Sequence, residues 1–153
     1  MAVTDDTDDP PAGEAVILRA WAVLAMPARA ELLGDVREGL RQWMVALGLT
    51  SDQEDVIILC VDEAASNAVE HAYAGGTGTI DIQAAKTVSP CTVRVTVSDR
   101  GAWRKPSKGP IDRGRGLALI RGLTGQFDMH MGPTGTTVTM TWVDPARVAD
   151  AAC

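Results

Sequence analysis

The stretch that decides the fold is DEAASNAVEHAY, Asp62 to Tyr73. It closes a longer amphipathic run that opens at Ser51, where Ser51 and Glu54 have the spacing of a capping box, and that Gly75, Gly76 and Gly78 bring to an end. Placed at about 100° per residue, Val56, Leu59, Cys60, Glu63, Asn67, Glu70 and His71 fall within roughly 120° of arc on one helix face. That face begins apolar and turns polar halfway along, while Ile57, Val61, Ala64 and Ala68 make the adjoining face apolar. Glu63 and Asn67 are therefore expected beside the core, one turn apart and directed into the same space. A buried carboxylate without a partner is costly, and a ligand or metal ion would supply one. E-x-x-x-N equally describes a helix edge at which both side chains reach water and interact at i, i+4.

Working outward, Val16–Met26 (VILRAWAVLAM) reads as a buried strand stopped by Pro27. From Ala28 to Leu47 the apolar residues Leu32, Leu33, Val36, Leu40, Trp43, Met44 and Leu47 recur at threes and fours, a helix that Gly48 stops. Beyond the decisive stretch come strands Thr79–Ala85 and Cys91–Ser98, joined through Ser89 and Pro90, then a Gly-, Pro- and Lys/Arg-rich loop over Asp99–Arg113. A short helix Leu117–Leu123 precedes strands Gln126–Met131 and Thr136–Val143, joined by Gly132, Pro133 and Gly135. The order β-α-α-β-β-loop-α-β-β has too few helices to cover both faces of a sheet, so the expected class is α+β, a two-layer α/β sandwich.

The chain has 153 residues, 46% of them hydrophobic, enough for one sizeable core but not two. No apolar run reaches membrane-spanning length, so a soluble protein with no membrane partner is expected. The net charge of −6 resides mostly in Asp5, Asp6, Asp8, Asp9 and Glu14, ahead of any Lys or Arg. Residues 1–14 thus read as an acidic disordered tail, 15–145 as one domain of nearly neutral charge, and 146–153 as a C-terminal tail. A neutral body with only 4% aromatic residues argues against direct nucleic-acid binding. Cys60, Cys91 and Cys153 are widely spaced, form no C-x-x-C and have no clustered histidine, which supports neither a zinc site nor a disulfide framework. With no secretory signal visible, a reducing cytoplasm is the expected location.

Three further segments carry chemistry. Asp99-Arg100-Gly101 follows directly on the strand VRVTVS; an Asp there can accept from an exocyclic amine, and the glycine lets a flat ring approach the backbone. Gly114-Arg115-Gly116-Leu117 opens a helix whose free N–H groups and positive dipole end suit phosphate oxygens. Gly135-Thr136-Thr137 offers a turn with hydroxyl donors before the last strand. Any one of these glycine clusters alone is also a plain turn or cap. Between Arg100 and Arg121 lie seven of the 14 Lys and Arg residues, against the single Asp112. A solvated basic loop has that composition.

In this order the four segments resemble the GHKL (Bergerat) ATP-binding fold of gyrase, Hsp90, histidine kinases and MutL. They look most like the RsbW-type anti-sigma factor/serine-protein kinases, over a span from about Pro27 to Val143. DEAASNAVEHAY resembles the family's N box, SDRGAW its first glycine box, GRGLALIRGL its second, and GTTVTMTW its closing strand. The resemblance implies a mostly antiparallel mixed sheet with helices on one face, and ATP and Mg²⁺ as cofactors. It implies Glu63 as general base, Asn67 as Mg²⁺ ligand, and Asp99 as adenine anchor. Gly101, Gly114, Arg115, Gly116, Leu117 and Thr136 would line the nucleotide site, with the basic loop as its lid. Implied partners are a sigma factor, which the protein would sequester, and a STAS-domain antagonist, which it would phosphorylate on serine; a homodimer is also admitted. In the first glycine box Trp103 stands where the pattern D-x-G-x-G has its second glycine. The alternative is accordingly a regulatory module that binds nucleotide and sigma factor or antagonist without phosphoryl transfer. Neither His71 nor His130 lies in a dimerising phosphoacceptor helix, which separates the chain from complete histidine kinases.

Overall fold

Strict alternation of Val with polar residues in Thr92–Asp99 (TVRVTVSD) places a strand with one buried and one open face at the centre of the sheet. In the computed structural model, which describes residues 16–73, 77–88, 91–102 and 115–143, Val93, Val95 and Val97 are buried while Arg94 is exposed. Among the described residues five strands occur: β1 (Val16–Pro27), β2 (Thr79–Val88), β3 (Thr92–Asp99), β4 (Gln126–Gly132) and β5 (Gly135–Val143). They form one sheet in the order β1-β2-β3-β5-β4. Every pairing is antiparallel, so the described sheet has no parallel component.

Three helices pack on the face that carries the valines: α1 (Leu33–Ala46), α2 (Ser51–Asn67) and α3 (Arg115–Leu123). Leu33, Val36, Leu40 and Met44 form the buried stripe of α1, and Ile57, Ile58, Val61, Ala64 and Ala65 that of α2. They meet Ile80, Ile82, Val95 and Met140 of the sheet in one core. Arg37 pairs with Asp62 at 2.8 Å, and Arg41 with Asp55 at 3.1 Å and with the buried Glu54 at 3.4 Å, which sets the register of α1 against α2. The exposed pairs, Arg37–Asp62 and Arg41–Asp55, contribute little stability, about 0–1 kcal/mol each.

Several expectations are revised. The strand Val16–Met26 forms, but it is an edge strand rather than a buried one. Val16, Ile17, Leu18 and Leu24 are exposed and only Met26 is buried, because β1 has a single strand neighbour. The cap of α2 sits one residue earlier than Ser51/Glu54. Thr50 Oγ1 accepts from the Gln53 N–H at 3.3 Å, and Gln53 Oε1 accepts from the Thr50 N–H at 2.8 Å. Glu54 is turned towards Arg41 instead. The helix does not keep α pitch to Tyr73; Ala68–Ala72 form one π-helical turn, a feature that recurs at functional sites. Helix α3 begins at Arg115, two residues before the expected Leu117. Cys60 is free and buried, whereas Cys91 is disulfide-bonded, although the cysteine spacing supported no disulfide framework. The two tails, Trp103, Gly114 and the lid segment 103–114 lie outside the described residues.

Candidate nucleotide site

Glu63 and Asn67 lie one turn apart near the carboxyl end of α2, both half-buried at the border of the Ala64–Ala65 stripe. The first turn of α3 closes over them. A Cβ placed on Gly116 would lie 2.7 Å from Glu63 Oε2 and 3.6 Å from Asn67 Nδ2. A side chain at 116 would displace the Glu63 carboxylate from the space that it now occupies. Residues 63 and 67 converge on one spot with residue 116, which lies dozens of positions further along the chain. Arg115 is exposed on the same turn, and Leu117 packs against the core and anchors the helix.

A second group gathers at the end of β3. Asp99 is buried at 6% exposure, and its Oδ1 accepts from the N–H groups of Gly101 at 3.0 Å and Thr136 at 3.3 Å. These two bonds orient the carboxylate. Thr136 is itself buried and faces Asp99 across the β3–β5 ladder. Gly135 has φ +140, and a side chain there would run into the Asp99 carbonyl. A Cβ on Gly101 would collide with the carbonyl of Ala72. The π turn therefore joins the two groups: Asn67 stands at its start and Gly101 is packed on its end.

Burial, and then the charge of Glu63, push the Cys60 thiol up to about 11, so this core thiol stays protonated at neutral pH. Among the described residues no three His, Cys, Asp or Glu side chains gather as a metal cage. A divalent ion at Asn67 would take one amide oxygen from the protein and its remaining ligands from phosphate and water, the usual habit of Mg²⁺. An apolar cleft of about 300 Å³ lies away from this chemistry, at the first turns of α2, between Leu49, Val56, Ile57 and Trp142.

Residues 26–142 match the family described as the histidine kinase-like ATPase domain. The chain belongs to that family. As a histidine kinase-like ATPase domain it is similar to the serine-protein kinase RsbW of Staphylococcus aureus, with 28% identity over 133 residues that cover 77% of this chain and 83% of that protein. It is similar in structure to the RsbU and RsbW domains of Rv1364c from Mycobacterium tuberculosis, with a TM-score of 0.66 and 28% identity over 82% of this chain. The chain spans 32% of that longer structure. A blue-light activated histidine kinase from Erythrobacter litoralis matches with a TM-score of 0.52 and 25% identity over 66% of this chain and 33% of its own. Membership implies ATP binding. No helix among the described residues is long and apolar enough to cross a membrane.

Sequence reasoning passed over Tyr73. Its hydroxyl donates to the Thr79 carbonyl at 2.6 Å and accepts from the Arg100 N–H at 2.9 Å. The available signal was compositional: it is the chain's only tyrosine, at the end of the decisive helix and just before a glycine cluster.

Proposed function

We propose that this protein is an ATP-dependent serine-protein kinase and anti-sigma factor. It would phosphorylate a STAS-domain antagonist on serine and sequester a sigma factor when that antagonist is phosphorylated. The observation that carries this reading is the convergence of Glu63, Asn67 and Gly116, which puts a carboxylate and an amide directly beside the start of α3. ATP is the phosphoryl donor. Asp99 accepts from the adenine amino group, and Gly101, packed on the Ala72 carbonyl, holds the turn close to the end of the π turn. Gly114, Arg115, Gly116 and Leu117 contribute N–H groups and positive potential to the phosphate oxygens, and Thr136 closes the base end.

Glu63 accepts the proton of the partner serine as its Oγ bonds to the γ-phosphorus. The bond from that phosphorus to the bridging oxygen breaks, and ADP leaves with the electron pair. Asn67 would hold Mg²⁺ through its amide oxygen, and the ion would supply positive charge against the triphosphate. The protein contributes chiefly by aligning donor and acceptor, which is most of the catalysis in phosphoryl transfer. The exposed apolar residues of the β1 edge, Val16, Ile17, Leu18 and Leu24, support a homodimer, since unpaired apolar strand edges invite pairing. A sigma factor as partner would require a cytoplasmic location.

Incubation with labelled ATP and the antagonist tests the reading, with Glu63→Gln as the deciding variant. Gln keeps the size and one acceptor oxygen but cannot take a proton at neutral pH, and loss of a general base costs about 10²–10⁴ in rate. The variant should bind ATP and partner yet fail to phosphorylate. Transfer at the unmutated rate would show that Glu63 is not the base. Absence of transfer in the unmutated protein, with ATP still bound, would favour the regulatory module, to which Trp103 in the glycine box also points.

A further inference from the structure

Arg100, between the adenine anchor Asp99 and Gly101, is held from two sides. Its backbone N–H donates to the Tyr73 hydroxyl at 2.9 Å, and its guanidinium pairs with Asp81 Oδ2 at 3.2 Å. Asp81 Oδ1 in turn accepts the N–H of Ala25, at a bulge of β1 where Ala25 takes φ +53. The Tyr73 hydroxyl also donates to the Thr79 carbonyl, which fixes the phenol to the start of β2. Its ring lies where a Gly78 side chain would be, so the phenol has little freedom to swing. Tyr73 follows the π turn immediately, and that turn begins beside Asn67 and ends against Gly101. One hydroxyl thus ties the helix that carries Glu63 and Asn67 to the turn that carries Asp99.

We propose that Tyr73 is a positioning residue that holds the Asp99–Arg100–Gly101 turn in register with Asn67 and Glu63, and so sets the preference of the site for adenine over guanine nucleotides. The proposal rests on the ATP reading above. Adenine presents an amino group to an acceptor at Asp99, whereas guanine presents a carbonyl oxygen at the corresponding ring position. Discrimination therefore depends on the carboxylate staying in place. Asp99 is oriented by the Gly101 N–H, and the Arg100 N–H between them is fixed by Tyr73. Without the hydroxyl, the turn keeps the Asp81 pair on its exposed flank but loses its bond to the helix side.

The test is Tyr73→Phe in the full chain, which keeps the ring against Gly78 and removes both hydrogen bonds. Kd for ATP and for GTP is measured by titration, together with the melting curve. Loss of bonds of this size should weaken ATP about tenfold and leave GTP nearly unchanged, so that the ATP-over-GTP preference falls by about the same factor. In an Asp99→Asn background the same change should produce no further loss of preference. Equal weakening of both nucleotides, or an unchanged preference, overturns the proposal and leaves Tyr73 a structural residue. If the unmutated chain binds ATP no better than GTP, the adenine reading falls, and this proposal with it. Because Tyr73 is the only tyrosine, biosynthetic 3-fluorotyrosine labels it alone and gives a second measurement should the Phe variant not fold. Its fluorine resonance should shift on addition of ATP and stay in place with inorganic tripolyphosphate. No shift at saturating ATP, or the same shift with tripolyphosphate, overturns the proposal.

Discussion

Gly116→Ala separates the chemistry of the site from the stability of the fold. Position 116 lies in the first turn of α3, in a backbone conformation that alanine adopts without strain, and alanine is favoured over glycine within helices by about 0.8–1 kcal/mol. For a chain of this length, 1 kcal/mol corresponds to a shift of about 2–4 °C in Tm, so the melting curve should stay in place or rise slightly. The added methyl, however, would stand 2.7 Å from Glu63 Oε2, and contacts below 3.0 Å do not persist. To reach an ordinary separation of 3.4 Å, the carboxylate must retreat by 0.7 Å. It sits at the end of a flexible side chain, so it can do so without disturbing the backbone. Misplacing a catalytic group by about 1 Å costs on the order of 10²-fold in rate. Single-turnover phosphorylation of the antagonist should accordingly slow by about tenfold to a hundredfold, while ATP still binds. The reasoning is refuted by a variant that phosphorylates at the unmutated rate. It is refuted equally if the rate falls only in step with a Tm drop of many degrees, which would mean that the glycine serves the fold.

ATP with Mg²⁺ should raise Tm, since a ligand that binds only the folded state adds about 2.7 kcal/mol at a hundredfold excess over Kd; Asn67→Ala should remove the Mg²⁺-dependent part in a thermal-shift titration. Asp99→Asn retains an oxygen for the Gly101 and Thr136 N–H groups but replaces its partner with an amino group. Competition binding should show the ATP-over-GTP preference shrinking more than Tm falls. Cys60 carries a thiol pushed up from 9.0 to about 11 by burial and by Glu63. The unfolded chain therefore loses that proton first as pH rises, and Cys60's contribution to stability, complete below pH 9, should fade as pH climbs towards 11. Denaturant melts of Cys60→Ala should lack that component of the alkaline decline.

Local periodicity alone determined much of this protein. The spacing of four that puts Glu63 and Asn67 one turn apart on α2 is a property of the helix, whatever the helix packs against. The alternation in TVRVTVSD likewise marks a strand with one buried face, and Asp99-x-Gly101 at its end marks a turn. These features depend on backbone geometry within a few residues, so they are legible in order along the chain. The cap of α2 shows how narrow the limit is: Thr50/Gln53 and Ser51/Glu54 both fit the pattern, and the attraction of Arg41 for Glu54, across the α1–α2 interface, selects the first.

Tertiary structure decided everything that requires distant segments to meet. That Glu63 fills the side-chain space of Gly116 depends on how α3 docks on α2, which no local spacing encodes. The exposure of Val16, Ile17 and Leu18 follows from the strand order that leaves β1 at the edge, although the same apolar letters would suit a buried strand. Tyr73 acquires its role only where the end of a helix, the start of β2 and the turn after β3 come together, because a hydroxyl has a few ångströms of reach and its partners, Thr79 and Arg100, are brought there by the folded chain.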